Sequence, residues 1–148
     1  MNTQGQNLKP EETFCIDDLM DELYNYVKKE LQNRGKSHIG VEILKFSDIE
    51  NCRVRTNRLR LRQIFNCLLD NMISLIDRGY IFFGYHTGID NIVSFIVDDT
   101  GMGIYKDTDF DLSIARGLVE QMGGKIRIEP TYDAGTAIKF DINCEVVE

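Results

Sequence analysis

The stretch Asp98–Gly124, DDTGMGIYKDTDFDLSIARGLVEQMGG, decides how this chain folds. Just upstream, Val93, Phe95 and Val97 alternate with Ser94 and Ile96, the period of a strand, so Asp99 falls at a strand's C-terminal end, where sheet-based ligand sites usually lie. Gly101 and Gly103 follow at a spacing of two. Glycine there permits positive φ and lets a flat ligand approach the backbone closely, while a carboxylate beside it accepts a hydrogen bond from an amino group. An adenine base fits that description. A strand-terminating turn uses Asp and Gly in the same places, and the motif alone leaves both readings open.

Working outward, the run Asn57–Asp77, NRLRLRQIFNCLLDNMISLID, carries Leu61, Ile64, Phe65, Leu68, Met72 and Leu75 on one helical stripe, with Asn71 in its C-terminal half. Downstream, LSIARGLVEQMGG makes a second amphipathic helix on Leu112, Ala115, Leu118, Val119 and Met122, stopped by Gly123 and Gly124. KIRIEP and GTAIKFDI then alternate in period two around a turn at Tyr132–Gly135 and predict a hairpin.

In this order the elements resemble the ATP-binding catalytic domain of sensor histidine kinases, within the Bergerat-fold group that also holds gyrase and heat-shock chaperone ATPases. RLRQIFNCLLDNMI resembles that family's N box, IVDDTGMGI its G1 box, and LSIARGLVEQMGGKIRIEP with GTAIKF the helix and hairpin that close the domain. The resemblance implies that Asn71 helps hold Mg²⁺ with the phosphates of ATP and that Asp99 reads adenine. It further implies that Gly101, Gly103 and Ile104 lie on the base side, that Leu112 stands at the pocket, and that Thr136 lines it.

The departures are as informative. The family carries a long lid between the G1 box and a Gly-rich segment, whereas seven residues separate Ile104 from Leu112 here. Asp107, Asp109 and Asp111 stand where phosphate-cradling glycines are expected. In the N-box-like run, Cys67 replaces a frequent first Asn, Met72 the usual Ala, and Ser74 a position often held by a phosphate-contacting Lys.

A helix N-terminus offers free N–H groups and partial positive charge, which is why phosphates settle there. Asp at the same place takes those hydrogen bonds as an N-cap worth about 0.5–2 kcal/mol to the fold. Each carboxylate near a phosphate adds about 1 kcal/mol of repulsion in water, so three weaken ATP binding about a hundredfold. The opposite expectation is that an extra Asp recruits Mg²⁺, which favours carboxylate and phosphate oxygens together.

At 148 residues and 43% hydrophobic composition the chain is long enough for one domain with a core that needs neither disulfide nor metal. We expect residues 1–12 to be a polar lead-in or the end of a dimerisation-domain linker, and residues 13–148 the domain itself. No apolar run approaches the roughly 20 residues of a membrane span. A net charge of -7 argues against a nucleic-acid partner, which requires basic patches. Cys15, Cys52, Cys67 and Cys144 show no Cys-x-x-Cys spacing, so neither zinc site nor disulfide framework is supported, and a reduced, cytoplasmic setting is expected. Cys67 falls on an apolar stripe and reads as a small hydrophobe.

Phe14 suggests a short edge strand. Leu19, Met20, Leu23, Val27 and Leu31 mark a helix from Asp17 to Gln32, capped by Asp17 and ended near Gly35. Val41–Phe46 and Arg53–Arg55 read as strands, and Thr87–Asn91 as a hairpin turn between YIFFGYH and NIVSFIV. The five arginines from Arg53 to Arg62 form a basic cluster that reads as a solvated face ahead of a phosphate site.

The fold class expected is α/β, a two-layer sandwich of Bergerat type, with a mixed, largely antiparallel sheet and about three helices on one face. The function the resemblance implies is the ATP-binding domain of a two-component sensor histidine kinase, with nucleotide binding weakened by the short lid. His38 and His86 sit by strands, so neither is a phosphoacceptor. That histidine is expected in a dimerisation domain in a missing N-terminal part or in trans, with a response regulator as the further partner. The alternative is an inactive pseudokinase domain that docks a kinase partner or response regulator.

Overall fold

The computed structural model describes residues 11–45, 52–100, 112–130 and 136–147. Among them, three helices and eight strands follow in the order β1 (Glu12–Cys15), α1 (Ile16–Asn33), β2 (Gly40–Lys45), β3 (Arg53–Thr56), α2 (Arg58–Leu75), β4 (Tyr80–Thr87), β5 (Ile92–Asp99), α3 (Ser113–Gln121), β6 (Lys125–Pro130), β7 (Thr136–Asn143) and β8 (Glu145–Val147). The expected class is borne out. A five-stranded sheet of order β2-β4-β5-β7-β6 is antiparallel except where β2 runs parallel to β4. The short strands expected at Phe14 and at Arg53–Arg55 do form, but with β8 they build a second, antiparallel sheet of order β1-β3-β8.

Alternation makes the core. On β5, Val93, Phe95, Val97 and Asp99 are buried while Ser94, Ile96 and Asp98 on the opposite face are partly open. The stripe foreseen on α2 is buried at Leu61, Ile64, Phe65, Leu68 and Met72, with Leu75 half-buried at its end. Phe65 is its centre, with ring contacts to Phe83, Phe95 and Phe140 at 6.4, 5.5 and 5.3 Å, all edge-on. The open face of the sheet is polar. Ser94 donates to Asp141 at 2.7 Å, and Glu129 pairs with Arg127 and Lys139, each at 2.9 Å.

The helix ends follow local chemistry. Asn57 caps α2, its side chain accepting from the Arg60 N–H at 3.1 Å. Gly123, at φ +74°, turns the chain out of α3 as expected. Asp17 does not cap α1: Cys15 occupies that position without a side-chain bond, and Asp17 lies inside the first turn, where it accepts from the Tyr85 hydroxyl at 2.9 Å. A long-range partner has claimed the carboxylate. The β4–β5 turn spans Gly88–Asn91 and places both Asp90 and Asn91 at φ +58°, a left-handed conformation that Asp and Asn tolerate better than most residues. Asn91 then holds the chain leaving β7, its carbonyl accepting from Cys144 N–H at 2.8 Å and its side chain from Val146 N–H at 3.4 Å.

α1 and α2 meet along a polar seam spaced by fours. Glu22 pairs with Arg58 and Arg62, Tyr26 donates to Asp70 at 2.5 Å, and Arg34, itself paired with Glu30, donates to Ser74 at 2.9 Å. Arg58 also lies over the Phe14 ring at 5.5 Å. Arg58 and Arg62 thus spend their charge on α1, and Arg58 on an aromatic face as well, so only Arg53 and Arg55 of the cluster lie on the exposed face expected for it. Cys52 and Cys144 are buried thiols pushed above the usual cysteine range by burial, the latter to about 12. Cys67 is half-buried against the core.

Candidate functional site

Asp99 is the last residue of β5, on the helix-facing side of the sheet, and only 2% exposed. Register sets Ile81 of β4 on one side of it and Thr136 of β7 on the other. Two of the residues assigned to the adenine side therefore stand on adjacent strands, paired through the backbone. The strand's exit is fixed by a clamp. Gly79 takes φ +100°, and a Cβ there would come within 2.3 Å of the Thr100 hydroxyl oxygen. That hydroxyl accepts from Tyr80 N–H at 3.0 Å, and Thr100 N–H donates to the Tyr80 carbonyl at 3.1 Å.

The neighbouring acid behaves differently. Asp98 points to the opposite face, and burial pushes its carboxyl above the usual range, against the lowering effects of a bond from the Asp99 backbone and of the Lys139 charge. Its Oδ1 is enclosed without a hydrogen-bond partner among the described residues. Alternation in the sequence separates the two carboxylates, and the structure puts the buried one under the helices.

Asn71 sits in the last turns of α2, half-buried, its amide donating to the Cys67 carbonyl one turn back at 3.0 Å. α2 packs on β5, and after it the chain re-enters the sheet at Tyr80, beside the Asp99 end of that strand. Topology thus brings the C-terminal end of the Asn71 helix and the Asp99 strand end to one edge of the domain. Basic residues sequence reasoning had not assigned hold this helix end. Lys36 donates to the carbonyls of Ile73 and Ser74 at 2.8 and 3.2 Å, and His38 to that of Asp77 at 2.6 Å. The carbonyls of Ile73 and Ser74 belong to the last turn, where they have no partner within their own helix, and that of Asp77 lies just past the helix end. Arg34 reaches Ser74. The only signal for them in the sequence was basic residues after a helix end, a pattern that reads equally as a cap on α1 itself.

Leu112 immediately precedes α3, is 7% exposed and belongs to the core. Gly101, Gly103 and Ile104, together with Asp107, Asp109 and Asp111, lie outside the described residues. His86 is an exposed sheet-face residue and His38 an exposed one before β2, as expected of both. Surface hollows of about 400, 340 and 290 Å³ are lined by other residues, such as Lys28 and Lys29, Ser94 and Ile96, or Asn57 and Gln121, and not by Asn71 or Asp99. No helix among the described residues is long and apolar enough to cross a membrane.

No protein-family model matches the chain. It is similar to the methanogenesis regulatory histidine kinase FilI of Methanothrix harundinacea (strain 6Ac), at 30% identity over 93% of this chain and 17% of that protein, so it spans less than a fifth of that relative's length. Among solved structures it is similar to the nucleotide-free catalytic domain of histidine kinase ThkA, with a TM-score of 0.72 and 23% identity over 91% of this chain and 96% of that one. ThkA in complex with response regulator protein TrrA gives 0.71 and 23%, covering 89% of this chain and 41% of that one. Full-length ShkA in complex with AMPPNP gives 0.67 and 18%, covering 95% and 32%. Element order, sheet topology and these likenesses agree: the chain has the fold of a histidine kinase catalytic domain.

Proposed function

We propose that this chain is the ATP-binding domain of a two-component sensor histidine kinase, with its nucleotide site at the edge where β5 and α2 end. The reading rests chiefly on Asp99, a carboxylate 2% exposed at a strand's end, with Thr136 across the ladder and the Asn71 helix packed on the same strand. A carboxylate at that place is a fitting acceptor for an adenine amino group. Asn71 would share Mg²⁺ with the phosphates, since that hard ion takes amide and phosphate oxygens together. Its amide nitrogen donates to a carbonyl of its own helix, whereas the ion would take the amide oxygen. ATP with Mg²⁺ supplies the phosphoryl group; positioning and charge neutralisation are what a domain of this kind contributes. The AMPPNP bound to ShkA supports the nucleotide, and the TrrA bound to ThkA supports a response regulator as partner.

Binding is proposed to be weak. Seven residues between Ile104 and Leu112 leave no room for a long lid, and Asp107, Asp109 and Asp111 oppose a triphosphate. The same feature favours a second reading, a pseudokinase domain that docks a kinase or response regulator without using nucleotide. Isothermal titration with millimolar ATP and Mg²⁺ separates them. Heat from the native chain that disappears in Asn71→Ala upholds the nucleotide site, and a native chain that gives no heat leaves the docking domain. Transfer to histidine, if this reading holds, needs an acceptor helix from a dimerisation domain, in the same protein or in trans.

A further inference from the structure

Three basic side chains leave the segment after α1 and close on the last turn of α2. Two of them are explained by backbone carbonyls, since Lys36 meets those of Ile73 and Ser74 in the last turn, where a cation suits the helix C-terminus, and His38 meets that of Asp77 just beyond it. Arg34 is different. It meets a side chain, Ser74 Oγ at 2.9 Å, and Ser74 lies three residues past Asn71, the spacing of neighbours on a helix surface. Ser74 is in turn anchored, donating to the Asp70 carbonyl at 3.0 Å.

The guanidinium has N–H groups to spare. Nε and Nη2 reach Glu30 Oε1 at 3.3 and 3.0 Å and Nη1 reaches Ser74, so two of its five N–H bonds have no partner among the described residues. The side chain is 35% exposed, enough to be reached from solvent. The chain as a whole carries a net charge of -7, and any polyanion held beside Asn71 requires a local cation. Asp70, next to Asn71, is kept occupied by the Tyr26 hydroxyl at 2.5 Å. A planar fork one turn from the metal-holding amide suits phosphate oxygens better than a point charge does.

We infer that Arg34 is a phosphate-binding residue, supplying the polyphosphate of the bound nucleotide with a cation delivered from α1, with Ser74 setting its position. The inference rests on the nucleotide reading above. Its competitor is purely architectural: Arg34 as the last rung of the α1–α2 seam.

The test titrates the whole chain with ATP and Mg²⁺ and, separately, with adenosine, which lacks phosphate. Arg34→Gln is expected to lower affinity for ATP about tenfold while moving adenosine less than about twofold. Adding Ser74→Lys to Arg34→Gln places an ammonium on the same turn and is expected to return ATP affinity to within about threefold of native. An ATP-selective loss recovered by the lysine upholds the assignment. Loss shared equally by the two ligands, or no loss of either, overturns it while leaving the nucleotide site standing. A native chain that binds neither ligand overturns both.

Discussion

The two sides of α2 make opposite kinds of contact. One side inserts Phe65 among Phe83, Phe95 and Phe140, with no exposed surface on any of the four beyond 1%. The other side faces α1 through ion pairs and hydrogen bonds, at Glu22 with Arg58 and Arg62, Tyr26 with Asp70, and Arg34 with Ser74. The aromatic side is non-directional, so its worth scales with buried area and it tolerates a helix that slides a little. The polar side has no such tolerance, because each rung must meet its mate. Burial therefore holds α2 against the sheet, and the seam fixes its height and rotation, which is what determines where Asn71 stands. Asn66, whose Oδ1 is enclosed without a partner among the described residues, falls on the same stripe between Arg62 and Asp70, the one position at which the ladder by fours goes unpaired.

If that division is right, substitutions on the two sides differ in size and in what they respond to. Phe65→Ala should be the most damaging, costing about 3–5 kcal/mol in denaturant unfolding because it removes a ring and leaves a cavity that the sheet cannot collapse to fill. A loss no larger than that of a seam mutant would erase the distinction. Tyr26→Phe should cost about 1–2 kcal/mol, the worth of a hydrogen bond to a charged group in partial burial. Its signature is alkaline. Burial first, then the bond to Asp70, pushes the Tyr26 hydroxyl from 10.0 up to about 12, so the folded chain keeps a proton there that the unfolded chain has lost. Stability from this group is complete below pH 10 and is lost as pH climbs to about 12, and a stability–pH profile of Tyr26→Phe should lack that decline. Glu22→Gln should be mildest, about 0.2–1 kcal/mol, because both arginine partners are solvent-exposed in part. Its effect should shrink between 0.05 and 0.5 M salt, roughly the range over which the screening length falls below 10 Å. Salt-independent loss would mean that Glu22 acts through packing.

What could be read ahead of the structure, and what could not, divides along the same line. Period alone placed α2, the β4–β5 hairpin with its turn at Thr87–Asn91, and α3 with its stop at Gly123, because each is encoded by residues close together in the chain. Asp99 was legible for the same reason, as the residue that ends an alternating strand. Asp17 was misassigned as a cap because Tyr85, 68 positions away, recruits it, and nothing near Asp17 announces that. β8, three residues long, is too short to show a period, and it pairs with β3 far away in the chain, next to the place where Asn91 holds Cys144 and Val146. The parallel pairing of β2 with β4 and the reach of Arg34 across 40 positions to Ser74 are likewise products of packing. The Gly-rich half of the candidate site, Gly101, Gly103 and Ile104, rests on resemblance alone.

The hairpin tip at Asn91 has a practical consequence. Exposed turns are ordinarily the safest places to splice in a tag, a reporter or a new chain terminus. Here a single asparagine, in a backbone conformation most residues avoid, is grasped by two amides from the far end of the polypeptide. One extra residue at that bend would turn the carbonyl and side chain away from the two amides they hold, so anyone labelling this protein should leave the tip untouched.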